Sequence, residues 1–160
     1  MGRSQQMSYE KKNKALFIDR DGTINHDCPY CRDPSQIILY EDTINLMREY
    51  KREGYLVVIV TNQSGINRGY FSVEELERFH YELKDRLLKH GVPIDAIYYC
   101  PHRPEEKCSC RKPEPGLILN AVDDLNIDLA ESVVVGDRDD IDGELARRLN
   151  IPYTIVDHRP

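Results

Sequence analysis

The feature that most constrains the fold is a short apolar run that recurs along the chain and stops each time at a polar residue. Ala15-Leu16-Phe17-Ile18 ends at Asp19, and the pattern returns at Leu56 to Val60, Ala96 to Tyr99, Val133 to Val135 and Tyr153 to Val156. Short runs without polar alternation suit strands that are buried on both faces. Helical signals lie between them. Asp42 is a fair N-cap for a helix burying Ile44, Met47 and Tyr50, with Gly54 placed to stop it. Ser72 and Glu75 have capping-box spacing ahead of the stripe Leu76, Phe79, Leu83 and Leu87, which Gly91 can end. Further helices are expected at Gly116 to Leu125 and Gly143 to Leu149.

Strand and helix alternating in this order predict an α/β fold: a three-layer, Rossmann-like parallel sheet of about five strands with helices on both faces. The 160 residues fit one domain. The expected division is a polar N-terminal arm over 1–13 and a single domain over 14–160. The connections leave no room for a large cap domain, and residues 24–40 are at most a flap over an open site.

Charge and hydropathy narrow the function classes. Lys and Arg total 22 against 28 Asp and Glu, a formal net charge of −6, which argues against a sequence-blind grip on nucleic acid. No window offers the roughly 18 uncharged apolar residues of a membrane helix. The polar start, Met1 to Lys14, has no apolar core of a signal peptide. A cytoplasmic protein without membrane or nucleic-acid partners is expected, acting as a monomer.

In parallel sheets ligands sit at the carboxyl ends of the strands. Those ends carry Asp19-Arg20-Asp21-Gly22-Thr23, Thr61-Asn62-Gln63-Ser64-Gly65, Cys100-Pro101-His102 and Gly136-Asp137. Asp19 and Asp21 bring two like charges together, an arrangement that needs a cation or a shared proton. Asp137 would add a third carboxylate, and oxygens from strand ends with water and substrate are how Mg²⁺ is usually held. A carboxylate beside the metal can act as a nucleophile. Lys112 supplies a point cation for phosphate oxygens, and Thr61 a hydroxyl. Taken singly, Asp-x-Asp-Gly reads as a turn and Lys112 as a solvated lysine. Their joint placement at strand and loop ends is what points to chemistry.

The segments Phe17-Ile18-Asp19-Arg20-Asp21-Gly22-Thr23, Val60-Thr61-Asn62-Gln63-Ser64-Gly65, Arg111-Lys112-Pro113 and Val135-Gly136-Asp137 resemble, in order and spacing, the four motifs of the haloacid dehalogenase-like phosphatases. The similarity runs from about Lys14 to the end and is greatest to the capless group of heptose bisphosphate and histidinol phosphatases. The resemblance implies that Asp19 attacks phosphorus, that Asp21 protonates the leaving alcohol and later activates water, and that Thr61, Asn62 and Lys112 bind phosphate. It also implies Mg²⁺ on the Asp19 carboxylate, the Asp21 backbone carbonyl and Asp137. The adjacent charge of Asp19 is expected to favour a proton on Asp21. A second acid of the fourth motif falls at Asp139, Asp140 or Asp142, and the following helix favours Asp142.

Cys100, His102, Cys108 and Cys110 offer a closed Cys₃His set for structural Zn²⁺ in a loop over residues 100–110. Cys110 lies two residues from Lys112, so the metal would fix the loop that aims the lysine. Cys28 and Cys31 read as two incidental thiols in a mobile hairpin.

Arg68 and Arg111 flank the expected phosphate site and suit a second phosphate or sugar hydroxyls, which favours a sugar bisphosphate such as D-glycero-D-manno-heptose 1,7-bisphosphate. Histidinol phosphate and polynucleotide 3′-phosphate ends are alternative substrates. A phospho-receiver module would hold its phosphorylated Asp on a different strand from the acidic pair, and a zinc-stapled nucleic-acid binder would need a basic face.

Overall fold

The computed structural model describes residues 11–159, so the first ten residues of the expected arm lie outside the described region. The end of that arm already belongs to the fold. Asn13 donates its backbone N–H to the Asn126 carbonyl at 2.9 Å and accepts from the Asp128 N–H at 2.7 Å.

The strands are β1 (Ala15–Ile18), β2 (Leu56–Asn62), β3 (Ala96–Cys100), β4 (Val133–Gly136) and β5 (Tyr153–Ile155). All pair in parallel, in the order β3-β2-β1-β4-β5. The helices are α1 (Glu41–Arg52), α2 (Val73–Lys89), α3 (Gly116–Leu125) and α4 (Glu144–Leu149). Leu16, Ile18, Val57 and Ile59 point into one core with Met47 of α1 and Phe79 and Leu83 of α2. Ala15, Phe17, Val58 and Val60 point into the other, with Ile118 of α3 and Leu145 of α4. Both faces of β1 are therefore covered, which is why its run has no polar alternation. Among the described residues the flap between β1 and α1 holds one short 3₁₀ turn, Pro34–Gln36, and no cap domain.

The sheet grows from β1 through β2 to β3, then crosses back to β4 and β5. Its order reverses between β1 and β4, so Asp19 and Asp137 leave from neighbouring strand ends. Strands β2 and β3 continue past their apolar runs, and Asn62 pairs with Cys100 in register. Ladder hydrogen bonds are made by backbone and do not require apolar side chains, so Thr61, Asn62 and Cys100 stand on strands.

Helix α2 starts at the expected capping box, with the Ser72 hydroxyl accepting from the Glu75 N–H at 3.1 Å and the Glu75 carboxylate accepting from the Ser72 N–H at 2.9 Å. Helix α1 differs from the expectation. It begins at Glu41 behind an uncapping Tyr40, and Asp42 sits in the first turn with its carboxylate 2.9 Å from His158 Nε2. Helix α4 is preceded by a wide π turn, Asp139–Gly143, in which the Arg138 carbonyl accepts from the N–H groups of Ile141, Asp142 and Gly143. That turn directs Asp142 inward.

Candidate active site

Asp19, Asp137 and Asp142 each bring a carboxylate oxygen within 4.8 Å of the others. The Thr23 hydroxyl lies between two of them, 3.0 Å from Asp19 Oδ2 and 3.3 Å from Asp137 Oδ1. Two glycines make the convergence possible. Gly22 has φ +83°, and a Cβ there would overlap the Asp137 carboxylate; a Cβ at Gly136 would overlap that of Asp142. Of the three acids weighed for the fourth motif, Asp142 reaches the site. Asp139 pairs with Arg147 and Asp140 with Arg138 at the surface.

Lys112 is 3% exposed, and its Nζ donates to Asp19 Oδ1 and Asp142 Oδ1 at 2.8 Å each. Burial works against its charge, but the two carboxylates outweigh this and hold the ammonium above the ordinary lysine range. Burial pushes the Asp19 carboxyl up to about 6, with Lys112 opposing the shift and Asp137 adding to it. Burial likewise raises Asp142, again opposed by Lys112. One ammonium faces three carboxylates, so the pocket remains anionic and favours a cation.

Thr61 is buried at the end of β2 and accepts from Gln63 Nε2 at 2.9 Å, which leaves its own hydroxyl proton to donate. Asn62, expected on the phosphate, lines the opening over the site and also holds Lys112: its amide oxygen accepts from the Lys112 N–H at 2.9 Å and its amide nitrogen donates to the Lys112 carbonyl at 3.1 Å.

Asp21 departs from the expected pairing with Asp19. Its carboxylate turns onto Arg20, with Nε to Oδ1 and Nη2 to Oδ2 both at 2.9 Å. Asn25 donates to Oδ1 at 3.0 Å and Gln63 to Oδ2 at 3.1 Å. Two donors on each oxygen use all of the roughly four lone-pair directions of a carboxylate.

A cavity of about 190 Å³ opens over Asp19, Thr61, Lys112 and Asp137, bordered by Arg111 and Arg138. It continues past Asp21, Ser64 and Tyr30 into a second of about 490 Å³, again bordered by both arginines. Arg68 is not among the bordering residues. Its Nε is taken by the Ser64 hydroxyl at 3.0 Å, and its guanidinium stands 5.9 Å from the Tyr30 ring centre, one layer behind the opening.

The cysteine loop closes as its spacing predicts. His102 Nδ1 lies 3.2 Å from Cys100 Sγ and 3.3 Å from Cys110 Sγ, and Cys108 Sγ lies 3.5 and 3.7 Å from the other two sulfurs. A tetrahedral ion with arms of about 2.3 Å has edges of about 3.8 Å, so the four donors fit one metal. Burial, then the neighbouring Cys110, pushes the Cys100 thiol up, whereas a cation among the sulfurs would favour the thiolate. Cys28 and Cys31 are not incidental thiols. Tyr30, at φ 54°, folds the flap back so that the two meet as a disulfide with Cα atoms 5.3 Å apart. Cys31 is buried in the core, and Arg86 donates to the flap carbonyls of Ile37 and Pro34, so this hairpin is tied down.

The polynucleotide kinase 3 phosphatase family matches residues 16–152. A probable D-glycero-D-manno-heptose-1,7-bisphosphate 7-phosphatase of Thermoplasma acidophilum is 54% identical over 145 residues, covering 91% of each chain. The chain belongs to the haloacid dehalogenase-like phosphatases. A D-glycero-beta-D-manno-heptose-1,7-bisphosphate 7-phosphatase of Haemophilus influenzae is 43% identical over 79% of this chain and 72% of its own. The crystal structure of D,D-heptose 1,7-bisphosphate phosphatase from B. bronchiseptica, complexed with magnesium and phosphate, superposes with a TM-score of 0.80 at 31% identity, covering 89% of this chain and 79% of that one.

Several residues of this phosphatase site carried no sequence signal of their own. Arg20 and Thr23 lie inside the first motif, where the sequence alone assigns them no role of their own. Gln63 and Arg138 follow strand ends, and their position next to Thr61 and Asp137 is the clue that could have marked them. No described helix is long and apolar enough to cross a membrane.

Proposed function

We propose that this phosphatase is a Mg²⁺-dependent phosphomonoesterase that works through an aspartyl-phosphate at Asp19 and acts on a sugar bisphosphate, most simply D-glycero-D-manno-heptose 1,7-bisphosphate. The observation that carries the reading is the meeting of Asp19, Asp137, Asp142, Lys112 and Thr61 at the reversal of sheet order. The carboxylate-rich donor set suits a hard divalent cation, and the opening left by Gly22 is what admits Asp137 to it. Asp19, Asp137 and the Asp21 carbonyl would hold Mg²⁺, with Asp142 at its border. Bound there, the ion neutralises phosphoryl charge.

The protein's own groups do the rest. A carboxylate oxygen of Asp19 attacks phosphorus, forming the new O–P bond as the ester O–P bond breaks. Lys112 and the Thr61 hydroxyl hold the phosphoryl oxygens as charge builds on them. Asp21 delivers a proton to the departing alcohol, then takes one from the water that hydrolyses the aspartyl-phosphate. Asn62 fixes the Lys112 backbone. Arg111 and Arg138 stand where a second phosphate of a small metabolite would lie.

Cys100, His102, Cys108 and Cys110 would hold structural Zn²⁺, because four protein donors leave no open position.

The test is phosphate release with Mg²⁺ from heptose 1,7-bisphosphate, histidinol phosphate and a 3′-phosphorylated oligonucleotide. The sugar bisphosphate is expected to give the highest kcat/KM, and preference for the oligonucleotide would move the assignment to nucleic-acid ends. Asp19→Asn should fold and release no phosphate; retained turnover removes Asp19 from the nucleophile role.

A further inference from the structure

We infer that His80 is a positioning residue of this phosphatase: acting through Arg20, it fixes the carboxylate of Asp21. The inference rests on the reading of Asp21 as the proton carrier.

Arg20 has no exposed surface, and its guanidinium stacks 4.3 Å from the centre of the Phe79 ring. A charge so placed must satisfy every donor, because a buried unpaired ion is costly. Nε and Nη2 hold Asp21, Nη2 also reaches the Cys31 carbonyl at 3.3 Å, and Nη1 meets His80 Nε2 at 3.0 Å. Arginine only donates, so His80 Nε2 accepts and the ring proton sits on Nδ1. A charged imidazolium in that place would oppose Arg20. Burial, and then the charge of Arg20, push the His80 pKa down to about 3, which keeps the ring neutral through the working range.

The geometry gives His80 a mechanical task. Asp21 must free a lone pair before it can carry a proton, since four donors occupy its oxygens. Arg20 is pinned by His80, Phe79 and the Cys31 carbonyl, so it stays. Gln63 lines the larger cavity and shares its amide with Thr61, and it is the donor that can give way. The lone pair so freed is on Oδ2, which keeps its bond from Arg20 Nη2. Without His80 the guanidinium loses one of its anchors, and the carboxylate it carries is held less firmly. His80 never touches substrate.

A merely structural histidine and a positioning one differ in how they treat leaving groups. Sugar alkoxide needs a proton to depart; p-nitrophenolate does not. The measurement is kcat/KM, which covers steps only through loss of the alcohol, for a sugar bisphosphate and for p-nitrophenyl phosphate. Asp21→Asn is expected to lose about 100-fold or more on the sugar substrate and far less on the aryl one. His80→Ala should follow in the same sense, about tenfold on the sugar and within about threefold on the aryl phosphate. His80→Gln, whose amide oxygen can accept from Arg20, should recover most of the loss. If His80→Ala does not fold, His80→Asn, too short to reach Arg20, is read in its place. Equal losses on both substrates for the His80 variants, beside a discriminating Asp21→Asn, overturn the inference. An Asp21→Asn that does not discriminate overturns the proton-carrier reading instead, and the His80 inference with it.

Discussion

The side-chain amide of Asn62 brackets the peptide groups of Lys112, accepting from its N–H at 2.9 Å and donating to its carbonyl at 3.1 Å. This pair of bonds joins the tip of β2 to the loop that follows the cysteine cluster, and it sets the origin from which Nζ reaches Asp19. Asn62→Ala removes both bonds and leaves two peptide groups half-buried without their partner. The expected cost is about 1–3 kcal/mol of stability, read by urea unfolding, with a fall of about 10–100-fold in kcat as Lys112 loses its aim. Wild-type kcat in Asn62→Ala would show that Lys112 is aimed by other means.

Lys112 stands between Asp19 and Asp142 at equal distances of 2.8 Å. Asp142→Ala leaves the buried ammonium with Asp19 alone. Breaking a buried pair typically costs about 3–5 kcal/mol, and the remaining partner should hold this variant near the lower figure. The catalytic effect should be larger than the stability effect, because Lys112 then rests entirely on the oxygen of the nucleophile. Phosphate-release assays on Asp142→Ala and Asp142→Asn check this, the amide being the milder change since it still accepts from Nζ.

The sheet was legible because a short continuous apolar run has one physical meaning, burial on both faces, and β1, β2 and β4 obey it. Asp19, Lys112, Asp137 and the cysteine ligands were legible because chain connectivity alone carries them to one rim. What the residues did not disclose is where side chains turn once there. Asp21 faces Arg20 because Arg20 is held by His80, 60 residues away. Asp142 was favoured over Asp139 and Asp140 by the following helix, but the choice stayed open because the π turn that directs it inward has no local signature. Arg68 was placed beside the phosphate by its position in the loop, and its Nε is claimed by the nearer Ser64 hydroxyl.

The cysteine loop and the catalytic lysine are mechanically linked. The Cys108 sulfur accepts from the Arg111 N–H at 3.3 Å, and the Gly116 N–H donates to the Ser109 carbonyl at 2.9 Å, so the segment carrying Lys112 is tied on both sides. Cys108→Ser should lower Tm by about 5–10 °C, the loss of a few kcal/mol at about 2–4 °C each, and should lower turnover with it. Exhaustive chelation of wild-type protein should reproduce both effects. Unchanged melting after chelation would contradict a structural metal.

His80 should leave a mark on stability as well as on turnover. Its pKa falls from an ordinary 6.5 in the unfolded chain to about 3 in the fold, chiefly through burial and secondarily through Arg20. Between those values the unfolded state binds a proton that the native state refuses, so stability rises with pH across the window and is lost as pH falls below about 6.5. The contribution amounts to about 2 kcal/mol by pH 5. Asp19 and Asp142, whose pKa values are raised by burial, act with the opposite sign and blunt the wild-type profile. The difference between wild type and His80→Gln isolates the histidine. Urea unfolding at intervals from pH 7.5 to 5 should show the wild type losing about 2 kcal/mol more than His80→Gln on acidification. Parallel profiles would mean that His80 is not held neutral against Arg20.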